Sequence, residues 1–198
     1  HAGAVVTHRD TGDLLAGARY PFPSAAEARR RRGEGEDESL IDRARFGLYP
    51  PGSTFKIVTA AAALGQDVDP GSTRFMCSLQ AKGRVGAAIK GWGVIRDDVR
   101  ETHPHGTIDM HDGLVQSCNA YFAQLAVQIG PRSILDTANL LGISVARDDS
   151  IARLRATLPR AGYGQGDVVA TPVRMARVVA AIANNGILRH TTLVRSVR

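Results

Sequence analysis

A serine and a lysine three residues apart are the strongest chemical feature of the sequence. Ser53 and Lys56 follow a Pro-Pro-Gly turn at residues 50–52 and precede an apolar run that includes Ile57, Val58 and four alanines. The run is typical of a buried helix that begins after the turn. Because residues three apart share one face of a helix, the hydroxyl of Ser53 and the amine of Lys56 are predicted to point the same way.

Such a pair can perform nucleophilic catalysis. A serine hydroxyl becomes a good nucleophile when a neighbouring base takes its proton, and burial favours the neutral, basic form of a lysine amine. The first N–H groups of a helix also stabilise a developing oxyanion. Lysine is rare here, with three residues against 22 arginines, and arginine stays charged. The alternative interpretation, an N-capping serine beside a solvated lysine, stays open at this point.

A second polar pair, Ser117 and Asn119, lies within a helical pattern that begins at Asp109. Apolar residues at spacings of three and four predict one buried helix face as far as Ile129, and the Gly-Pro pair that follows breaks the helix. Taken alone, Ser-x-Asn is typical of a polar pair at a helix end. The second pair indicates a function only in combination with Ser53 and Lys56.

The remaining pattern predicts both strands and helices. Runs at residues 4–8 and 13–18 flank a turn that contains Asp and Gly, which indicates a hairpin. Residues 24–39 carry a basic run and then an acidic one, which is typical of a mobile charged loop. Residues 67–108 are glycine-rich and predicted to be irregular. Further helices are predicted at residues 132–141, 147–160 and 171–183.

Composition limits the classes of function. The net charge of +6 suits an anionic polymer. The arginines are scattered, however, and the few aromatic residues offer no base-stacking platform, so a nucleic-acid partner is disfavoured. No apolar run approaches the roughly 20 residues that a helix needs to span a bilayer.

The cysteines and histidines give no recognisable metal motif. Cys77 and Cys118 are too far apart for a metal-site spacing, and two buried thiols are favoured over one disulfide. His103, His105 and His111 lie close together, yet they form no familiar ligand spacing with a carboxylate. We therefore expect neither a metal nor another cofactor.

Together these segments resemble the transpeptidase domain of penicillin-binding proteins, the serine acyltransferases that cross-link peptidoglycan. Residues 11–16 resemble the family's opening hairpin and residues 49–56 its nucleophile motif. Residues 105–106 with 114–122 resemble its second motif, and residues 164–166 with 171–176 the helix that follows. The Ser-Thr-Phe-Lys and Gly-Gln-Gly segments look more like the monofunctional class B branch than the bifunctional class A branch.

The resemblance implies an α+β fold similar to penicillin-binding proteins and serine β-lactamases. It implies a helical subdomain and an incomplete antiparallel sheet, as a single, partial transpeptidase domain over residues 1–198. It also implies a packing role for Cys118 behind the second motif and a structural role for His105.

The resemblance assigns a role to each residue of the two polar pairs. Ser53 would attack the carbonyl of the penultimate D-Ala of a stem peptide, and Lys56 would accept the serine proton. Ser117 would relay a proton towards the leaving amine. Asn119 would hold the substrate amide and orient Lys56. Penicillins would acylate the same serine.

One family feature is missing from the sequence, which contains no Lys-Thr-Gly or near equivalent. In the family this motif lies on a strand that lines the other wall of the cleft and supplies an oxyanion N–H. Loss of one such donor costs about 10²–10³ in rate. We therefore expect these 198 residues alone to acylate slowly or not at all. A longer or separate chain would complete the fold, or the protein would be an inactive relic.

The resemblance also implies ligands, partners and location. Stem peptides and β-lactam antibiotics are the expected ligands, and a membrane glycosyltransferase or a division or elongation protein is a candidate partner. The expected location is the extracytoplasmic face of the bacterial inner membrane, through an anchor outside this chain. Two alternatives stay open: a related penicillin-recognising serine hydrolase or sensor similar to class D β-lactamases, although no Tyr-Gly-Asn motif occurs, and a catalytically inactive transpeptidase-like scaffold.

Overall fold

The computed structural model describes residues 2–22, 24, 26, 41–145 and 150–193. The chain divides into two compact units, His1–Tyr49 with Ala170–Arg198, and Pro50–Val169. The predicted charged loop at residues 24–39 falls outside the described residues except at positions 24 and 26, so its mobility stays a prediction.

The first unit is built from both ends of the sequence. Strands β1 (Ala2–Thr7) and β2 (Leu14–Tyr20) pair antiparallel and, among the described residues, form a two-stranded sheet. Helix α6 (Pro172–Ala183) contacts β1. The Thr171 hydroxyl caps α6 by accepting the N–H of Arg174 at 3.2 Å, a favoured way of satisfying a free helix-start amide. The predicted hairpin and this helix are both present.

The second unit contains the other helices whose bounds fall within the described residues. A 3₁₀ turn (Gly52–Phe55) leads directly into α1 (Lys56–Leu64), which packs against α3 (Asn119–Leu140). Both helices are apolar along the face they share, and these side chains form the core of the unit. Fully buried side chains of this core include Phe55, Val58, Tyr121, Phe122 and Leu125. The remaining helices are α2 (Met110–Val115), α4 (Ile151–Ala156) and α5 (Leu158–Ala161).

The region predicted to be irregular, residues 67–108, contains a four-stranded antiparallel sheet, so that prediction was wrong. Its strands are β3 (Phe75–Gln80), β4 (Arg84–Ile89), β5 (Gly93–Arg96) and β6 (Gly106–Ile108), in the order β5-β4-β3-β6. A glycine in this sheet allows two neighbouring strands to approach closely. A Cβ at Gly86 would lie 2.2 Å from the carbonyl oxygen of Ile95 on the neighbouring strand.

The helical pattern that begins at Asp109 is interrupted where the second polar pair lies. Helix α2 ends at Val115, Ser117 has a left-handed φ of 52°, and α3 starts at Asn119. The predicted break at Gly130 is present as a kink within α3, with φ 80° and ψ 166°. The predicted helix at residues 147–160 is two short helices, α4 and α5, and residues 147–149 lie outside the described part of the chain.

Candidate active site

The turn that carries Ser53 is held at both of its ends. The Gly52 N–H donates to the carbonyl oxygen of Gly164 at 2.9 Å, and the side chain of Phe55 is fully buried. The Thr54 hydroxyl donates to the Pro51 carbonyl at 2.7 Å. Ser53 itself is exposed. The turn therefore presents the serine hydroxyl to solvent from a fixed backbone.

Lys56 joins the two polar pairs of the sequence. Its side chain is only 2% exposed. Its Nζ donates to Ser53 Oγ at 3.1 Å and to Ser117 Oγ at 2.9 Å, and also contacts the carbonyl oxygen of Ser117. The Phe122 ring centroid lies 6.0 Å from the same nitrogen. One buried amine is thus shared by two hydroxyl groups from distant parts of the chain.

The surroundings of Lys56 favour its neutral form. Burial lowers the pKa of Lys56 from 10.5 to about 8, against the charges of Asp97, Cys118 and Asp98, which raise it. A pKa of about 8 leaves roughly one molecule in ten with a neutral amine at pH 7. That fraction can accept a proton, and the ideal pKa for a base lies near the working pH.

Ser117 occupies a strained position between two helices. Its N–H donates to the Leu114 carbonyl at 3.1 Å, and the Cys118 N–H donates to the Gly113 carbonyl at 2.9 Å. These bonds close the end of α2 while the left-handed backbone at Ser117 turns the chain towards α3. Left-handed conformations are uncommon for residues other than glycine and cluster at functional sites. The prediction that this serine lies within a continuous helix was therefore wrong.

Asn119 is the first residue of α3 and lines a cavity of about 540 Å³. Its backbone N–H donates to Asp97 Oδ1 at 3.0 Å. Within the described part of the chain its carboxamide makes no hydrogen bond, so the contact to Lys56 expected from the resemblance is not present. Arg160 and Gln165 line the same cavity. A role for Asn119 in holding a substrate amide stays a prediction.

Asp97 is the residue of this region that sequence reasoning missed. It directly follows β5, and its N–H donates to the Val85 carbonyl at 2.9 Å. Its buried carboxylate accepts the N–H groups of Asn119 and Asp98, both at 3.0 Å. Asp97 therefore ties the start of α3 to the sheet. No local pattern marks it, because it lies in the segment predicted to be irregular.

The arrangement has the parts required for acyl transfer. A fixed, exposed hydroxyl lies beside a buried amine that can take its proton, and a second hydroxyl lies on the same amine's other side. The N–H of Ser53 lies in the first turn of a helical segment, where amides lack intrahelical acceptors. These groups can activate a nucleophile, stabilise an oxyanion and return a proton to a leaving group.

No helix among the described residues combines the length and apolar character required to cross a bilayer.

Comparison with known proteins agrees with this chemistry. The peptidoglycan D,D-transpeptidase PbpA of Mycobacterium tuberculosis is 30% identical over 186 residues, which is 87% of this chain and 36% of the relative. PbpA of Mycolicibacterium smegmatis is 28% identical over 191 residues, 91% of this chain and 38% of the relative. The chain thus spans a little over a third of the length of these relatives.

Solved structures give the same result. Penicillin-binding protein A from M. tuberculosis, in an imipenem acyl-enzyme complex, matches with a TM-score of 0.75 and 26% identity, over 95% of this chain and 47% of that one. A chain of a peptidoglycan synthase complex that coordinates polymerization and crosslinking matches with a TM-score of 0.75 and 26% identity, over 98% of this chain and 37% of that one.

A family model decides the assignment. The model described as the penicillin binding protein transpeptidase domain matches residues 2–198, almost the whole chain. The α+β fold and the family resemblance stated from the sequence are therefore confirmed, and the chain belongs to the penicillin-binding protein transpeptidase family.

Proposed function

We propose that this chain carries the acyl-transfer centre of a class B-like peptidoglycan D,D-transpeptidase. The observation that carries the proposal is the position of Lys56 Nζ, 3.1 Å from Ser53 Oγ and 2.9 Å from Ser117 Oγ. The neutral form of this amine can then take a proton from the first hydroxyl and pass one through the second.

The first half-reaction forms an ester. Ser53 Oγ attacks the carbonyl of the penultimate D-Ala, and its proton moves to the neutral amine of Lys56. The oxyanion that develops is stabilised by backbone N–H groups, including that of Ser53. When the intermediate collapses, the C–N bond to the terminal D-Ala breaks. Lys56 returns the proton through the Ser117 hydroxyl to the leaving amine, so the amine departs neutral.

The second half-reaction forms the cross-link. An amine of another stem peptide attacks the ester carbonyl and loses its proton along the same route in reverse, and Ser53 leaves with its hydroxyl restored. A β-lactam ring would follow the first half-reaction alone, because its leaving nitrogen stays tethered to the acyl group. Asn119 would bind the substrate amide at the rim of the cavity that it lines.

Location and partners follow from the same assignment. Stem peptides lie outside the cytoplasmic membrane, so the protein would act at its extracytoplasmic face, held by an anchor elsewhere in the full protein. The neighbour that belongs to a peptidoglycan synthase complex supports a glycosyltransferase of the division or elongation machinery as the partner class. The net charge of +6 is compatible with an anionic cell-wall surface.

The test is covalent labelling of the longest natural form of the protein that carries this chain. Fluorescent penicillin should label it at one site, and peptide mapping by mass spectrometry should find the adduct on Ser53. The Ser53→Ala variant should stay unlabelled while a control at an exposed serine outside the site, Ser72→Ala, labels normally. Equal labelling of wild type and Ser53→Ala would reject Ser53 as the nucleophile, and labelling of neither would favour an inactive scaffold.

A further inference from the structure

Four side chains with metal-binding atoms converge in the interior of the second unit. The Cys77 and Cys118 thiols, a carboxylate oxygen of Asp97 and a ring nitrogen of His105 all lie within 4.8 Å of one another. Both cysteines are free and fully buried. The side chains of His105 and Asp97 are only 8% and 3% exposed. These four residues supply more potential metal ligands than the exposed histidines that lie close to His105 in the sequence.

The fold brings these residues together from separate elements. Cys77 lies on β3 opposite Gly106 of β6, and His105 immediately precedes that glycine. Asp97 follows β5, and Cys118 is the N-cap of α3. Strand pairing and the start of a helix therefore fix all four positions. The spacing along the sequence gives no hint of this convergence.

One atom of the cluster lacks a partner. His105 Nδ1 is buried and makes no hydrogen bond within the described part of the chain. The nearest acidic atom, Asp97 Oδ2, lies 3.6 Å away. A buried polar atom without a partner is costly and calls for an explanation. An ion placed between these atoms would satisfy the nitrogen and the carboxylate oxygen together.

The distances between these atoms fit a four-coordinate ion. Zinc lies about 2.3 Å from sulfur and about 2.0 Å from nitrogen or oxygen, which gives tetrahedral edges of roughly 3.3–3.8 Å between ligand atoms. The Cys77 Sγ to Asp97 Oδ2 distance is 3.6 Å, and the Asp97 Oδ2 to His105 Nδ1 distance is also 3.6 Å. Both distances lie within this range of tetrahedral edges, and all four ligand atoms lie within 4.8 Å of one another.

A second layer of partners orients three of the four ligands. His105 Nε2 lies 3.5 Å from a Glu101 carboxylate oxygen, as in the carboxylate–histidine–zinc arrangement. Asp97 Oδ1 accepts the Asn119 and Asp98 N–H groups, which leaves Oδ2 directed at the cluster. Cys118 Sγ accepts the Tyr121 N–H at 3.3 Å. Hydrogen bonds of this kind stabilise a thiolate and fix the ligand's direction.

We propose that Cys77, Asp97, His105 and Cys118 form a structural site for a thiophilic divalent ion, zinc in the first instance. Two thiolates with one imidazole disfavour magnesium and calcium, and four protein ligands leave no open position for chemistry. Because Cys118 lies between Ser117 and Asn119, the ion would anchor the wall that presents both. This departs from the expectation, drawn from sequence spacing, that no metal binds. It does not depend on the proposed acyl transfer.

Metal binding is tested directly on the reduced full chain after chelation. Titration with Zn²⁺ against a chromophoric chelator should give one ion per chain, and Co²⁺ should give thiolate-to-metal charge-transfer absorption with the visible bands of a four-coordinate site. Cys77→Ser and His105→Gln should each weaken zinc binding more than about 100-fold, since loss of an outer-layer partner alone costs 10–100-fold. Glu101→Gln should fall in that smaller range.

Two controls separate this site from its surroundings. His111 belongs to a second, exposed group with Asp109 and Asp112, and His111→Ala should bind zinc as wild type does. Ser53→Ala should also bind zinc normally, so failure of acylation would leave this result unaffected. Circular dichroism of each variant checks its folding, and the cobalt spectrum of the wild type decides the case even if a variant unfolds.

Four results would overturn the proposal. The first is a reduced wild type that does not compete for zinc, and the second is a cobalt complex without thiolate charge transfer. The third is a Cys77→Ser variant that is folded by circular dichroism and retains wild-type affinity. The fourth is protein from its native compartment that carries a Cys77–Cys118 disulfide and no metal.

Discussion

At the scale of single residues, the chemistry depends on an amine that is buried without being paired to a carboxylate. Lys56 contacts two hydroxyls and a carbonyl, all of which can accept hydrogen bonds from either protonation state. A direct ion pair would have kept the amine charged. Its burial is therefore what makes this lysine a candidate base.

Ser117 is predicted to speed acylation by relaying a proton. Ser117→Ala removes the hydroxyl 2.9 Å from Lys56 Nζ and leaves the backbone unchanged. We expect Ser53 acylation by penicillin to slow about 10²-fold, the lower range for a positioned proton donor. Stopped-flow or timed labelling measures the rate.

The matched control for Ser117 is its exposed neighbour Gln116. Gln116→Ala should keep the wild-type acylation rate. A Ser117→Ala variant that acylates as fast as Gln116→Ala would show that the relay is not needed.

Sequence spacing predicted the residue pairs but not their connection. Ser53 and Lys56 are three apart, so one helical turn was enough to place them together. The contact from Lys56 to Ser117 spans 61 positions, and no periodicity indicates which distant hydroxyl it reaches. Asp97 was missed for the same reason.

At the scale of elements, the nucleophile turn depends on a glycine in another loop. The Gly164 carbonyl accepts the Gly52 N–H, and Gly164 has a φ of 75°. A Cβ at Gly164 would lie 2.1 Å from the Gly52 carbonyl oxygen. The Gly-Gln-Gly segment was noted in the sequence only as part of a family pattern, and this contact is its physical basis.

Gly164→Ala is predicted to destabilise the protein and slow acylation. A side chain in the left-handed region costs about 1–2 kcal/mol, and the clash with Gly52 adds to it. Displacing the serine turn by an ångström can cost up to about 10² in rate. Thermal unfolding and the acylation rate measure the two effects.

Gly91 supplies the matched control for backbone strain. Its φ is 82°, and a Cβ there would meet no atom within 4 Å. Gly91→Ala should therefore lose stability by the strain alone and keep the acylation rate. Equal losses of stability and rate in both variants would contradict the role of the Gly164–Gly52 contact.

The elements that the sequence predicted well were those with strong local signals. Thr171 with Pro172 marks a helix start, and the structure has a capped helix there. The four-stranded sheet was missed because its strands have only three to six residues and because β4, β5 and β6 carry glycines, which usually indicate loops. The need for glycine at such a position can be recognised only from the contact with the neighbouring strand, as at Gly86.

At the scale of the whole molecule, the first unit joins the two ends of the sequence. Its hairpin comes from the start of the chain and α6 from residues 172–183. Such non-local assembly is not encoded in any local pattern, and it was not predicted from the sequence. The helical part of the second unit was easier to predict from the sequence, because α1 and most of α3 have continuous apolar periodicity.

The class of enzyme determines whether the acyl-enzyme persists or is hydrolysed. A transpeptidase should trap nitrocefin in a single burst that matches the amount of protein, because the leaving nitrogen of a β-lactam stays tethered to the acyl group and only the first half-reaction proceeds. Continued hydrolysis that Ser53→Ala removes would instead favour the related β-lactamase. The colour yield per chain, followed over hours, distinguishes these outcomes.

The pH dependence of Ser53 acylation tests the central claim most directly. The reactive form has a neutral Lys56, so the penicillin labelling rate should rise about tenfold per pH unit below a pKa of about 8 and level off above it. Lys56→Arg, whose side chain stays charged, should lose at least about 10² in rate at every pH. A wild-type rate that is constant from roughly pH 6 to 9, or a Lys56→Arg variant as fast as wild type, would contradict the account.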